Sequence, residues 1–393
     1  MMGFSKAKMA DLCEITSSKR IFAADYVSEG VPFYRGKEIT EKYKGNLDVS
    51  TELFITEEKF CEIERKFGAP REGDLLLTSV GTLGSPYVVK QGERFYFKDG
   101  NLTWFRNFSE LDSKFLYHWL VSPQGKAELQ KCTIGSSQSA FTIVLLKSME
   151  IKLPPLPTQR RIANILSAYD ELIENNQRRI RILEDMARSL YREWFVHFRY
   201  PGHESIPLVD SPLGQIPQGW EVKKLGDVLE LNYGKALKKE DRLDGDVPVF
   251  GSSGIIGEHD TALVKGPGIV VGRKGNVGSV FWCDEDFFVI DTAYFVTAKL
   301  SLRFLYYDLQ TKNFINNDAA VPGLSRHQAY SLETVVPPAP LLERFCQLAE
   351  SFERQVSTLR KQTQNLRRTR DLLLPRLLSG QITLQDILAE ATS

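Results

Sequence analysis

The residue types that could do chemistry in this chain are scattered rather than assembled. Its five cysteines (Cys13, Cys61, Cys132, Cys283, Cys346) include no C-x-x-C pair, and the five histidines are equally dispersed. Neither a disulfide framework nor a zinc site is expected, and a reducing, cytoplasmic setting follows. Glycine clusters come closest to a phosphate loop: Gly251-Ser252-Ser253-Gly254, and Gly272, Gly275 and Gly278 in G-x-x-G-x-x-G spacing. Neither has the G-x-x-x-x-G-K-[ST] spacing that places a lysine on phosphates and a hydroxyl on magnesium. Neither opens a long helix after a strand, as a dinucleotide site requires. An amino-methyltransferase carries Asn/Asp-Pro-Pro-Tyr/Phe for its target amine. The Pro-Pro pairs here follow Leu153 and Val336, have no aromatic after them, and open helices. No H-E-x-x-H or zinc-deaminase pattern occurs. No catalytic residue and no metal ligand is assigned.

What remains is a set of polar, glycine-containing loops. Towards the C-terminal half these are Tyr233 to Lys239, with Lys235, Lys238 and Lys239; Gly272 to Asn276, with Arg273 and Lys274; and Ser325 to Gln328, with Arg326 and His327. Corresponding places in the first half hold Lys19 and Arg20, then Thr78 and Ser79, then Ser136, Ser137 and Gln138. Arginine and glutamine can donate paired hydrogen bonds to base edges, while lysine and serine suit phosphates. The main claim of these residues is that they match by position in a repeat. Tyr26, Phe33, Phe281 and Trp282 are read as core rather than stacking platforms. The 50 basic and 50 acidic residues leave a formal net charge of zero, whereas a free-standing nucleic-acid binder is usually basic. Either the basic groups are locally concentrated, or a partner supplies much of the phosphate contact.

The elements that must position these loops occur twice. MEIKLPPLPTQRRIANIL near residue 150 and ETVVPPAPLLERFCQLAE near 333 align with one offset of 183, proline on proline. Upstream, Gly81-Thr82-Leu83-Gly84-Ser85 matches Gly275-Asn276-Val277-Gly278-Ser279, so a turn common to both halves is expected there rather than a phosphate loop. Phe115-Leu116-Tyr117 matches Phe304-Leu305-Tyr306. After each proline cluster, apolar residues recur in steps of four and three. The first seam holds Ile162, Leu166, Tyr169, Ile173, Ile180, Leu183 and Leu190; the second holds Phe345, Phe352, Val356, Leu359, Leu366 and Leu373. A sustained 3.5-residue period is the coiled-coil signal. Each helix should run about 35–38 residues, on the order of 55 Å. Antiparallel pairing fits best, because each helix is preceded by its own domain. Asn176, Thr363 and Arg370 weaken the seam, and Arg370 leaves its register open. The alternative is two amphipathic helices lying on separate cores.

The expected fold class is α+β: two globular α/β domains separated by two long antiparallel helices forming a coiled coil, with internal pseudo-twofold symmetry. The expected boundaries are a first domain at 1–153, a helix at 154–199, a Pro/Gly/Ser-rich linker at 200–215, a second domain at 216–336, a helix at 337–380 and a tail at 381–393. LLLTSV, FYFK, GIVVG, SVFW and FFVI read as strands, and SKFLYHWLVS and LRFLYYDLQ as helices. No apolar run approaches the roughly 18 residues of a membrane span.

With these parts placed, LPPLPTQRRIANILSAYDELIENNQRRIRILEDMARSLYREWFVHFRYPG resembles the central repeat of the specificity subunits of type I restriction-modification enzymes. SPLGQIPQGWEVKKLGDV resembles the start of their second target-recognition domain, and PPAPLLERF with LLLPRLLSGQI resembles their C-terminal repeat. The resemblance implies a non-catalytic subunit whose two target-recognition domains each read half of a split double-stranded DNA target. It implies that the helix pair sets the spacer and docks two modification (methyltransferase) subunits, and that restriction (motor-nuclease) subunits join them to cleave unmodified DNA. No cofactor is implied for this chain; S-adenosylmethionine, ATP and magnesium are expected on the partners. Two alternatives stay open: the recognition part of a combined modification-restriction enzyme, and a helical scaffold whose domains bind protein.

Overall fold

The computed structural model describes residues 4–46, 49–135, 139–314 and 323–382. The chain divides into two compact units: residues 1–177 with 361–393, and residues 178–360.

In unit 1 the central strand Leu75–Thr78 is a buried apolar run, as LLLT suggests. It sits in a four-stranded antiparallel sheet in the order Glu14–Thr16, Leu102–Arg106, Leu75–Thr78, Pro86–Val88. Ser5–Lys8 pairs antiparallel with Glu150–Leu153, tying the two ends of the domain together. Val31–Tyr34 lies parallel to Tyr96–Phe97 in a smaller sheet. The helix Ser113–Val121 starts at Asp112, whose carboxylate accepts the Phe115 N–H at 3.0 Å. It buries Phe115, Leu116, Trp119 and Leu120.

Unit 2 repeats this plan with different residues. GIVVG forms the buried central strand Gly268–Gly272, in the order Leu229–Tyr233, Ala293–Ala298, Gly268–Gly272, Val280–Cys283, again antiparallel. Glu221–Lys224 pairs with Glu333–Val336, and Val247–Gly251 runs parallel to Phe288–Val289. The helix Leu302–Thr311 buries Phe304, Leu305, Tyr307 and Leu309.

The two long helices span Leu156–Tyr191, continued by a turn of π-helix at Arg192–Val196, and Ala339–Ser379. Their prolines lie before the helix or in its first turn, where no intrahelical N–H is needed. Pro375 is inside the second helix, which nevertheless continues to Ser379. Gln159, fully buried, fixes the start of the first helix: its amide donates to the carbonyls of Pro154 (2.8 Å) and Glu110 (3.0 Å) and accepts from Asp112 N–H (3.0 Å).

All the expected seam residues are buried or half-buried. Within unit 1, Ile162 and Leu166 share a core with Leu374, Leu377 and Leu378, and Asp170 pairs with Arg370 at 2.6 Å. Within unit 2, Glu184 pairs with Arg360 at 2.7 Å, and Phe195 and Phe345 meet edge to face at 4.9 Å. In each unit, then, the two helix segments run antiparallel. The seam does more than pair helices, however. Ile162, Ala163 and Leu166 belong to the core of the first domain, and Ala187, Tyr191, Trp194, Phe345 and Ala349 to that of the second. The helices are both a coiled coil and the floors of the two domains.

Two expectations need correction. Arg370 does not loosen the register, because its guanidinium finds Asp170 across the seam. The stretch 200–215 is not a plain linker either. It contains a short 3-10 turn, His203–Ser205, and a hairpin, Leu208–Ser211 with Gly214–Pro217. The Pro/Gly/Ser content marks the turns of that hairpin, and its strands are short and largely exposed, so no apolar alternation advertised them.

Candidate functional site

The turn after the central strand is built identically in the two units. In unit 1, Thr78 N–H donates to Ser85 C=O (3.1 Å) and Gly84 N–H to Thr78 C=O (2.9 Å). In unit 2, Gly272 N–H donates to Ser279 C=O (2.8 Å) and Gly278 N–H to Gly272 C=O (2.9 Å). Gly81, Gly84, Gly275 and Gly278 all take φ between +75° and +80°, a region costly for other residues. The G-x-x-G-x-x-G spacing is therefore turn geometry.

The residue after this strand is held by the same backbone bonds in each unit. Ser79 donates to Asn101 C=O and accepts from Phe141 N–H; Arg273 donates to Thr292 C=O and accepts from Leu324 N–H. What the side chains do is different. Ser79 is buried, with its hydroxyl 2.6 Å from Thr103 Oγ1, and Thr78 is fully buried, accepting Ser85 N–H at 2.8 Å. Buried in this way, neither side chain presents a donor at the surface, which corrects their expected role as DNA contacts: Thr78 ends the central strand and Ser79 directly follows it. Ser136, Ser137 and Gln138 lie outside the described residues.

Lys19 and Arg20 are exposed. The Lys19 N–H donates to Tyr96 Oη at 2.8 Å, and its ammonium sits 4.9 Å from the Phe67 ring centre. Arg20 is tied to Asp99 at 2.9 Å.

Unit 2 brings its three loops together. Gly234 makes a close backbone approach: a Cβ there would stand 2.1 Å from the Ile290 carbonyl oxygen. That contact fixes Tyr233 on one side and Lys235 on the other. The half-exposed Tyr233 ring (51%) has the Arg326 guanidinium 4.1 Å and that of Arg273 4.9 Å from its centre. Tyr294, buried beside it with ring centres 5.1 Å apart, donates its hydroxyl to Leu324 C=O at 3.0 Å. Burial pushes the Tyr294 phenol up to about 12, so it stays a neutral donor. Arg273 also donates to the Asp291 carbonyl at 3.0 Å, and Lys274 bridges to Gly323. Lys235, Lys238, Lys239 and His327 are exposed. Tyr233 and Tyr294 were missed as a platform. The available signal was a tyrosine at a strand end, immediately before the glycine of a basic loop.

Among the described residues, no helix is long and apolar enough to cross a membrane.

Comparison with known proteins agrees with this duplicated frame. The chain is 26% identical over 358 residues to the MjaIX type I restriction enzyme specificity subunit of Methanocaldococcus jannaschii, covering 80% of this chain and 79% of that one. It is 24% identical over 366 residues to the MjaVIII specificity subunit of the same organism, covering 84% of each. Its fold is that of the crystal structure of the type I restriction-modification S subunit from M. genitalium, with a TM-score of 0.62 at 19% identity and 96% of each chain covered. The family described as type I restriction modification DNA specificity domain matches residues 1–185 and 217–340, well over half of the chain, and this protein belongs to that family of DNA specificity subunits.

Proposed function

We propose that each globular domain reads one half of a bipartite double-stranded DNA target, and that the antiparallel helices fix the spacer between the halves. The chain itself does no chemistry in this reading. Its helices dock two modification subunits, which supply S-adenosylmethionine-dependent methyl transfer. Restriction subunits, using ATP and magnesium, complete the complex that cleaves unmodified DNA.

The observation that carries this is the pairing of an identical backbone frame with unlike loop side chains. Two readers of different half-sites need the same scaffold and different base-edge donors. The neutral net charge fits partners that supply much of the phosphate grip; strong, salt-insensitive DNA binding by the isolated chain would count against that division.

The test is to co-express the chain with its modification subunits and map methylated sites across a genome, first for the wild type. The map is then repeated with residues 1–153 replaced by another recognition domain. One half of the target should change and the other should persist; a change in both halves would refute independent reading. Adding one heptad to both helices lengthens them by about 10 Å, so the spacer should grow by about three base pairs. An unchanged spacer would remove the helices as the ruler.

A further inference from the structure

We propose that Arg326 reads a guanine in the half-site of the second domain, with Tyr233 and Arg273 as the residues that position it. This rests on the DNA-reading role proposed above and adds the chemistry of one contact.

Three loops of unit 2 converge to lay two guanidinium groups against one half-exposed tyrosine ring. Each group also lies within 6 Å of the buried Tyr294 ring, at 5.8 and 5.7 Å. Among the described residues, neither Arg273 nor Arg326 forms an ion pair. Arg20, Arg303 and Arg370 each have a carboxylate at 2.6–2.9 Å. Two like charges gathered on one ring repel each other. The Nε of Arg326 is also buried without a hydrogen-bond partner among the described residues, although a buried donor ordinarily has one. Both costs fall when an electronegative acceptor pair approaches.

The geometry points to a base edge rather than a phosphate. Resting on an aromatic face fixes the plane of a guanidinium, and a fixed planar fork matches the O6 and N7 acceptors of guanine in the major groove. A phosphate can accept the same fork but does not need it, since a point charge serves it, and exposed Lys235, Lys238 and Lys239 of the 233–239 loop already provide point charges. Arg273 is held by the Asp291 carbonyl. That tether leaves Arg326 as the group whose donors are not committed within the described protein.

Among the described residues, unit 1 has no counterpart to this element at the matched positions. Counting from the one-turn helices Met9–Leu12 and Leu225–Val228, Ser17 stands where Tyr233 does. By the shared backbone bonds, Ser79 stands for Arg273, and Ile143, two residues after Phe141, for Arg326. The guanine contact belongs to one half-site only.

The experiment uses the full chain assembled with its modification subunits. The wild-type methylation map, read with the domain exchange, should show a G·C pair in the half-site of residues 216–336. Arg326→Lys keeps the charge and removes the fork, so discrimination at that pair should fall about tenfold or more, while the half-site of the first domain is read unchanged. Tyr233→Ala should relax the same position, and Tyr233→Phe, which keeps the ring, should restore it. Independently of any variant, 7-deazaguanine at that position should weaken wild-type binding by a similar factor and change nothing for Arg326→Lys. The proposal is overturned if the second half-site contains no G·C pair. It is equally overturned if Arg326→Ala weakens binding to all sequences alike and lowers the salt slope by about one, the signature of a phosphate contact. A wild-type complex with no sequence-dependent methylation would instead sink the DNA-reading proposal beneath it.

Discussion

The two recognition domains keep the same strands, the same turn and the same backbone bonds, yet at matched positions their side chains have little in common. Arg273 donates from the surface of unit 2 where Ser79 is buried in unit 1. Where each domain meets its long helix, the contrast recurs. His118 and Tyr307 occupy the same place on the domain helix, each facing a carboxylate of a long helix. In unit 1 that carboxylate is Asp170, paired with Arg370 from the other long helix. In unit 2 it is Glu353, paired with Arg303 from the domain itself at 2.6 Å. The lesson is that main-chain hydrogen bonds hold the frame, so side chains at fixed points of it are free to diverge. That freedom is what the proposed reading of two different half-sites by one scaffold would require.

The anchors give the largest test of this contrast. Burial raises the pKa of Asp170, and the hydrogen bond from Arg370 opposes that shift; Glu353 is raised in the same way, opposed by Arg303 and Tyr307. Removing a cation strands a carboxylate in a place that disfavours its charge. Arg370→Ala should therefore cost about 3 kcal/mol in urea unfolding, the low end for a buried pair because both partners keep some exposure. Replacing both Asp170 and Arg370 by leucine should recover most of the loss, since the pair offsets its own desolvation rather than adding to it. A cost under about 1 kcal/mol for Arg370→Ala would show that the pair is a surface contact.

The glycines separate the loops next. At Gly234 a methyl group would collide with the carbonyl oxygens of Ile290 and Val289, at 2.1 and 2.5 Å. Gly234→Ala should displace the loop, cost about 2 kcal/mol and erase the preference of the second half-site. At Gly81, φ is +78° but the space is open. Gly81→Ala should cost only about 1 kcal/mol of backbone strain and leave both half-sites intact in the methylation map. Equal effects of the two substitutions would mean that space does not distinguish the turns.

Acid should separate the anchors again. Burial, with the charges of Arg370 and Lys114, pushes the pKa of His118 down to about 3. The neutral ring has Ser167 Oγ 3.3 Å from its Nε2. A depressed folded-state pKa means that the unfolded chain binds the proton first. The contribution of His118 is therefore whole above its ordinary value near 6.5 and lost as pH falls from there toward 3, by at most about 1.4 kcal/mol per pH unit. The raised pKa of Asp170 acts in the opposite sense, its contribution being lost as pH rises through its folded value. His118→Tyr, which installs the residue of unit 2, should flatten stability between pH 6.5 and 5. An unchanged slope in the melting profile would place the effect elsewhere.

How much of this the sequence made legible depends on what enforces each feature. The heptads, prolines and the strands LLLTSV and GIVVG were readable because burial writes a period or an unbroken apolar run into the chain. Gly-Thr-Leu-Gly-Ser and Gly-Asn-Val-Gly-Ser were readable because positive φ selects glycine. The hairpin 208–217 was not, since exposed strands leave no apolar pattern. Nor was the Tyr233 platform, because residues 233, 273, 294 and 326 meet only through tertiary contacts. Reading Thr78 and Ser79 as loop residues failed for a related reason: a buried hydroxyl with a hydrogen-bond partner looks, in sequence, like a solvated one.

That failure supplies the finest test, because Ser79 and Arg273 hold one backbone position in two units. Ser79→Ala removes a hydroxyl that bonds Thr103 and the Leu77 carbonyl. It should lower stability by about 1 kcal/mol and leave the half-site of the first domain unchanged in the methylation map. Arg273→Ala removes a half-buried group tethered through its guanidinium to the Asp291 carbonyl. Its loss should move stability by no more than about 0.5 kcal/mol, while loosening the sequence preference of the second half-site. The two substitutions should thus split into stability without reading and reading without stability. If Ser79→Ala altered base preference, the buried hydroxyl would have to be exposed on the DNA, and the separation of frame from reader would fail at the position where it is clearest.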